Sequence, residues 1–403
     1  MPIAVRRLLH WLAMKTIGLL VNLQARASYM VFAGSGSATH LGAHIAASGV
    51  NKLLVVTDKP LVELGVVETA ICGVKDAELD FAIFDEVLPD PTFDVVNQGL
   101  AAFKQHGCDS VLAIGGGSSI DAAKIIATLA TNDIELSKLV GFGKVDAELP
   151  PLYAIPTTSG TGSEATLGAV ITNSETHEKL VIGDTKMQPL AAALDPALML
   201  GLPTHITAAT GMDALTHGIE AYIGTWDRGD AKEVGRKAVK TVFANLRKAC
   251  SDGGDAKVRQ SMAIASFYAG VAINQVNVGS VHAIAHQLGA NYAIPHGLAN
   301  AMVLPHVLEF SLPKAAPALA RLAAEIDVAV TGNSEQDNAR LFIAAVRQLS
   351  SEVGIPTTSD SIKQADIPAL TQAALAESFS YPVPLLMSSG DCEGILQSLM
   401  RQS

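Results

Sequence analysis

An α/β half built on a parallel sheet, followed by an all-helical half, is the fold class this sequence predicts. Three observations predict it. Short β-branched runs alternate with Ala-rich helical stretches through the first 200 residues, strand signals disappear after about Leu202, and a run of three glycines follows a continuous apolar strand.

Composition sets the frame. A chain of 403 residues suits two domains. It is 49% hydrophobic and only 17% charged, which is a well-buried globular profile and excludes a disordered chain. Aromatic residues make up only 5%, so the core is built of Ala, Val, Ile and Leu, as suits helices on a parallel sheet. A net charge of −11 with no basic stripe argues against a nucleic-acid partner. Cys72, Cys108, Cys250 and Cys392 are widely spaced and form no Cys-x-x-Cys pair. Neither a disulfide framework nor a thiolate zinc site is expected, and a reducing cytoplasmic compartment fits.

Residues 1–28 read as an apolar helical extension. Arg6 and Arg7 precede an apolar run from Leu8 to Leu23, Ala25-Arg26-Ala27 resembles a cleavage site, and no acid occurs before Asp58. The expected structure is an extra helix packed on the body or on another subunit. A targeting segment, or an interfacial helix touching a membrane surface through residues 6–24, is the alternative.

Strands are expected at Tyr29–Phe32, Lys52–Thr57, Asp80–Phe84, Ser110–Ile114, Leu152–Ile155 and Leu167–Thr172, with helical patterns such as Thr92–Gln105 and Ile120–Leu129 between them. Strand and helix in regular succession imply a doubly wound, Rossmann-like sheet covered on both faces, here spanning 29–200. Residues 201–403 read as helices at Ala208–Tyr222, Lys232–Lys248, Ala256–Ala272, Ser280–Gly289, Ala316–Ala324, Asn338–Val353 and Ile367–Ala376.

Two glycine-rich loops point to a nucleotide. Gly115-Gly116-Gly117-Ser118-Ser119 joins a buried strand to a helix. Glycine lets backbone approach a ligand, and a helix start offers free N–H groups to a phosphate. Ser118 or Ser119 is expected to cap that helix. The second loop runs from Pro156 through Thr157, Thr158 and Thr161 to Glu164, and its hydroxyls and donors suit ribose and phosphate. Asp58, at the end of the Lys52–Thr57 strand, either binds the adenosine ribose, favouring NAD over NADP, or caps a helix before Pro60. Gly34-Ser35-Gly36 lacks the third glycine of the dinucleotide fingerprint and carries little weight.

A metal is suggested further on. Asp213 and His217 lie one turn apart on a helical face, His282 and His286 repeat that spacing, and Pro295-His296-Gly297 follows. Imidazoles with one carboxylate suit Fe(II) or Zn(II) and not Ca(II) or Mg(II). Spacing alone leaves five candidates, Asp213, His217, His282, His286 and His296, and does not choose between the last two.

These segments resemble the iron-containing (group III) alcohol dehydrogenases. The likeness rests on Gly115-Gly-Gly-Ser118-x-x-Asp121-x-x-Lys124, Pro156-Thr-Thr-x-Gly-Thr161, Gly211-x-Asp-Ala-Leu-Thr-His217, and His282-x-x-x-His286 through Pro295-His-Gly-x-x-Asn300, in that order. It implies an N-terminal dinucleotide-binding domain and an all-α metal-binding domain. Asp213, His217, His282 and His296 would be the metal ligands, and His286 a proton-relay residue. Asp121, Lys179, Gly115, Gly116, Gly117, Ser118, Thr157, Thr158 and Thr161 would lie at the cofactor. His306 is left as structural, and Ile273, Gly168 and Phe379 fall roughly at the pocket wall. The implied cofactors are Fe(II), or alternatively Zn(II), with NAD more than NADP. Expected partners are a small-molecule alcohol or aldehyde and further copies of the chain in a homodimer or higher oligomer. The metal polarises the substrate oxygen while hydride passes between carbinol carbon and nicotinamide. Two departures stand out: the apolar extension, and Tyr381-Pro382-Val383 where relatives often carry Asn-Pro-Arg. The rival readings are a dehydroquinate-synthase-like lyase, a maleylacetate-reductase-like enzyme and a silent nucleotide-binding structural protein. Few Lys or Arg near the metal motifs count against the first, the full ligand set against the other two.

Overall fold

The structure, a computed structural model, describes residues 2–22, 28–174 and 178–401. Ala25–Ala27 therefore lies outside the described residues. The chain divides into two compact units, one of Ala27–Leu202 with Gly253–Gly270, the other of Met1–Arg26, Pro203–Asp252 and Val271–Ser403.

Among its described residues the first unit has nine strands: β1 Met30–Ala33, β2 Lys52–Val56, β3 Asp80–Phe84, β4 Ser110–Gly115, β5 Gly141–Phe142, β6 Leu152–Pro156, β7 Gly168–Thr172, β8 Lys179–Gly183 and β9 Ala191–Leu194. Six of them form a sheet in the order β1-β9-β6-β4-β2-β3. Every pairing in it is parallel. Both faces are covered, and β2 shows this by its alternation. Leu54 and Val56 join one buried apolar cluster with Phe84 and Ile126, whereas Leu53 and Val55 join another with Leu41 and Val74. All six residues of β4 are buried, which explains its unbroken apolar run.

The chain passes from β2 outward to β3 and returns on the other side of β2 as β4, so the direction of winding reverses between β2 and β4. Open α/β sheets bind ligands beyond the carboxyl ends of strands at such a switch. Asp58 follows β2 and the three glycines close β4. Register pairs Gly115 with Pro156, so both glycine-rich loops leave from neighbouring strand ends.

Two differences from the sequence reading concern this unit. The Leu167–Thr172 strand forms as β7 but lies outside the large sheet, in a small sheet ordered β5-β8-β7 and antiparallel to β8. β9 is an Ala-rich run that is not among the expected strands, and its pairing with β1 and β6 makes it one.

Among its described residues the second unit is helical. Its principal elements are Ile3–Asn22, Thr204–Ile223, Ala231–Ser251, Ser280–Tyr292, His296–Glu325, Glu335–Glu352, Ile367–Ser378 and Ser389–Ser398. His296–Glu325 extends far beyond the expected Ala316–Ala324 and keeps Pro305, Pro313 and Pro317 inside it. A mid-helix proline costs about 3 kcal/mol. Burial of Val303, Leu304, Val307, Leu308 and Leu319 along this helix offsets that.

Candidate metal centre and cofactor loops

Three helices supply the metal-site candidates. Asp213 and His217 sit on successive turns of Thr204–Ile223, His282 lies near the start of Ser280–Tyr292, and His296 opens His296–Glu325. The turn between the last two helices uses Ala293 in the left-handed region, at φ 52°, before Pro295. Gly297 is required by close approach, because a Cβ there would meet the Ala209 carbonyl oxygen at 2.5 Å.

The donor atoms converge. One ligand atom from each of Asp213, His217, His282 and His296 lies within 4.8 Å of all the others. Asp213 Oδ1 is 3.5 Å from His296 Nε2, 3.8 Å from His282 Nε2 and 3.9 Å from His217 Nε2. The Nε2 atoms of His217 and His282 are 2.9 Å apart. A tetrahedron with metal–ligand bonds of about 2.1 Å has edges of about 3.4 Å, within this span. His286, the fifth candidate, is not in the group. Its ring stacks on His296 at 5.4 Å, and its Nδ1 bonds Glu377 Oε1 at 2.6 Å.

Burial holds His282 well below the ordinary imidazole range and pushes His296 down to about 3. Burial raises the Asp213 carboxyl, but the rings of His217, His296 and His282 and the Asn300 amide bring it below its ordinary value. His282 and His296 are therefore neutral imidazoles beside a carboxylate, the form in which both groups ligate a borderline divalent ion. Asn300 Nδ2 donates to Asp213 Oδ1 at 2.7 Å and lies 3.1 Å from Nε2 of both His282 and His296, while its Oδ1 is buried without a partner. Lone pairs facing one another in a buried place fit a cation better than they fit each other.

Glu220 was missed in the sequence. Its Oε2 accepts from His282 Nδ1 at 2.6 Å and from Gly279 N at 2.8 Å, and its Oε1 accepts from Val281 N at 2.7 Å. A carboxylate on Nδ1 keeps the proton there and leaves the Nε2 lone pair toward the site. Burial pushes the Glu220 carboxyl up to about 7 against those backbone donors. The signal was present, since Asp213, His217 and Glu220 follow the i, i+4, i+7 pattern of one helical face.

The cofactor loops are organised by backbone. Gly116 caps Gly117–Thr131 without any side-chain hydrogen bond, so neither Ser118 nor Ser119 is the expected cap. Ser118 Oγ donates to the Pro89 carbonyl, and Ser119 is buried. A Cβ on Gly117 would lie 2.7 Å from Thr161 Cγ2, so the two loops touch only because this residue is glycine. Thr157 N donates to Gly115 O at 2.9 Å, and Thr158 Oγ1 lies 3.5 Å from where a Gly116 Cβ would stand. Thr161 Oγ1 accepts from Ser163 N at 3.2 Å.

A buried charge staples the second loop. Lys124 Nζ donates to Ser163 Oγ at 3.0 Å, Thr166 Oγ1 at 2.9 Å and the Gly168 carbonyl at 2.6 Å. Asp121, expected at the cofactor, spends both oxygens on the same segment, accepting from Ser163 Oγ at 2.5 Å and Val170 N at 2.9 Å. Burial pulls Lys124 down to about 8 and lifts Glu164 to about 7. Lys179 pairs with Asp90 at 2.6 Å. Asp58 Oδ1 accepts from Leu61 N at 3.0 Å, so the capping alternative is realised. His306 faces Ser398 Oγ at 3.2 Å, in keeping with a structural role.

Residues 29–196 match the model of the iron-containing alcohol dehydrogenases, and 207–400 match the C-terminal model of the Fe-containing alcohol dehydrogenase family. The chain belongs to the iron-containing alcohol dehydrogenase family. It is 39% identical over 357 residues to the 1,3-propanediol dehydrogenase of Klebsiella pneumoniae, covering 88% of this chain and 92% of that one. The NAD-dependent methanol dehydrogenase of Bacillus methanolicus is 36% identical over 369 residues, covering 91% and 97%. A solved 1,3-propanediol oxidoreductase superposes with a TM-score of 0.90 at 36% identity, over 94% of this chain and 100% of that one. As a member of this family the chain is an oxidoreductase acting on CH–OH groups, and iron and NAD agree with that membership. At the departure Tyr381-Pro382-Val383, Tyr381, Val383 and Leu386 form an apolar cluster with Ala283, and the Tyr381 hydroxyl donates to Glu377 Oε1 at 2.7 Å.

Proposed function

We propose that this dehydrogenase transfers hydride between NAD and a small alcohol or aldehyde, with one divalent ion held by Asp213, His217, His282 and His296. The buried convergence of these four donors carries the reading. When bound, the ion supplies Lewis acidity to the substrate oxygen, worth several kcal/mol. Glu220 and Asn300 orient the ligands, and His286, tied to Glu377, is assigned the proton relay. In 29–200 the N–H groups of Gly115, Gly116, Gly117 and Ser118 are assigned to the pyrophosphate, with Thr157, Thr158, Thr161 and Lys179 beside it. Asp121 acts on the cofactor through Ser163, and Asp58 retains one oxygen for the ribose. Residues 201–403 form the catalytic part, and 1–28 an extension to it.

Three imidazoles and a carboxylate accept Fe(II) and Zn(II) alike. Anaerobic reconstitution with each, followed by a screen of short and medium-chain alcohols and aldehydes at the NADH absorbance band, tests the reading. Turnover is expected with at least one substrate, and its absence with both ions overturns the proposal. His282→Ala is expected to lose both bound metal and activity.

The four free cysteines support a cytoplasmic location. No described helix is long and apolar enough to cross a membrane. Val5, Leu8, Leu9, Leu12 and Leu19 are nonetheless exposed along the N-terminal helix. That face supports contact with a second copy, in a homodimer or larger oligomer, or with a lipid surface through residues 6–24. Sedimentation velocity and vesicle co-sedimentation separate the two.

A further inference from the structure

The N-terminal helix Ile3–Asn22 precedes the stretch matched by the family models, yet it is tied to the wall of the metal-bearing unit. Arg7 Nε donates to the Leu386 carbonyl at 3.0 Å, and Trp226 Nε1 donates to the Met14 carbonyl at 2.9 Å. His10 is buried, its Nε2 lies 2.8 Å from the Tyr381 carbonyl, and its ring stands edge-on to Phe379 at 5.5 Å. A carbonyl only accepts, so His10 carries its proton on Nε2.

The Arg7 and His10 contacts fall on 379–388, which has no regular secondary structure of its own. Its backbone is held from outside by Arg7, His10 and Thr225, whose N–H donates to the Pro382 carbonyl at 2.7 Å, and locally by Tyr381 N on the Ser378 carbonyl at 3.2 Å and Val383 N on the Tyr381 carbonyl at 2.8 Å. The same segment reaches the relay histidine. Tyr381 OH donates to Glu377 Oε1 at 2.7 Å, Gln287 Nε2 donates to Glu377 Oε2 at 2.9 Å, and Glu377 Oε1 accepts from His286 Nδ1 at 2.6 Å. His286 in turn stacks on His296, and their rings are inclined by only 22°.

We propose that the N-terminal helix is a brace for His286, with His10 as a positioning residue that acts through the Tyr381 backbone, the Tyr381 hydroxyl and Glu377. The chain needs each link. Tyr381 OH reaches Glu377 only if the Tyr381 backbone is fixed, and Glu377, in the last turn of Ile367–Ser378, is shared between Tyr381, Gln287 and His286. The ring of His286 then has one orientation, with Nδ1 on the carboxylate and Nε2 as its remaining nitrogen. The inference rests on the relay assigned to His286, and the two are separable by experiment.

Zinc-loaded full-length enzyme labelled with 15N-histidine provides the readout, because zinc is diamagnetic and the His286 Nδ1 proton, held by a carboxylate, exchanges slowly. His286→Gln identifies its resonance by loss. His10→Ala and Tyr381→Phe are each expected to speed exchange of that proton about tenfold and to lower kcat between about threefold and tenfold, with zinc content unchanged. His10→Gln keeps a donor for the Tyr381 carbonyl and is expected to restore both. The double variant should be no worse than Tyr381→Phe alone, because both act through one chain of contacts. Exchange in His10→Ala at the wild-type rate overturns the brace. Faster exchange with unchanged kcat keeps the brace and removes the relay role from His286.

Discussion

The metal centre and the glycine loops solve the same problem with different material. In the helical unit, four side chains from three helices aim single atoms at one point, and Glu220 and Asn300 fix those atoms. In the α/β unit, backbone at the ends of β4 and β6 forms the surface, and Lys124 and Asp121 hold its shape from behind. A side-chain site concentrates its chemistry in a few atoms, so one substitution removes it while the fold stands. A backbone site has no such atom to remove, and it fails only when its shape fails.

Lys124→Met gives the sharpest contrast. It strips the second loop and the segment after it of three hydrogen bonds, at Ser163, Thr166 and Gly168, and leaves Asp121 without its cation. Losing one partner of a buried charged network costs about 3–5 kcal/mol. Thermal unfolding should show that loss, with KM for NAD raised and metal content normal. Lost metal with an unchanged KM would break the comparison.

Glu220→Gln tests the other side. A neutral amide accepts more weakly from His282 Nδ1 than a carboxylate does, and its NH2 leaves a backbone N–H of Gly279 or Val281 without an acceptor. Metal affinity measured by chelator competition should fall about 10–100-fold, with unfolding of the α/β unit unaffected.

Glu164→Gln acts by pH. The Glu164 carboxyl is lifted to about 7 from 4.5, so the folded chain binds an extra proton between those values. Stability from this group is present below about pH 4.5 and is lost as pH rises through 7. The variant should flatten that slope and be more stable than wild type at pH 8, by on the order of 1–2 kcal/mol. An unchanged melting profile across pH 4 to 8 would deny the buried charge.

The smallest effect belongs to Asp58→Ala. Loss of its cap on Leu61 costs about 1 kcal/mol, and discrimination against NADP should relax. An unaltered ratio of kcat/KM for the two cofactors would leave Asp58 as a cap alone.

Local patterns were legible in the sequence and distant ones were not. The β4 strand, its three glycines and the pairs Asp213–His217 and His282–His286 each lie within one element, where periodicity reads directly. Spacing did not separate His286 from His296. The resemblance made that choice; in the structure Nε2 of His296 lies 3.5 Å from Asp213 Oδ1, whereas Nδ1 of His286 faces Glu377. Glu220 bonds a histidine 62 residues away and Glu377 one 91 residues away, and no local pattern encodes such pairings. Ala191–Leu194 carries no β-branched strand signal and is not among the expected strands; its strand state comes from its neighbours β1 and β6. The prolines at 305, 313 and 317 hid a 30-residue helix that burial sustains against them.

The spread of the four proposed ligands along the chain, from 213 to 296, has a consequence for protein supply. An ion joining three helices is a reversible crosslink, present only in the folded state. At one hundred times its dissociation constant, free ion adds about 2.7 kcal/mol of stability. When the metal runs short, the unfolded fraction rises accordingly, and proteases act on that fraction. The abundance of this enzyme should therefore follow the intracellular metal pool even where transcription is constant.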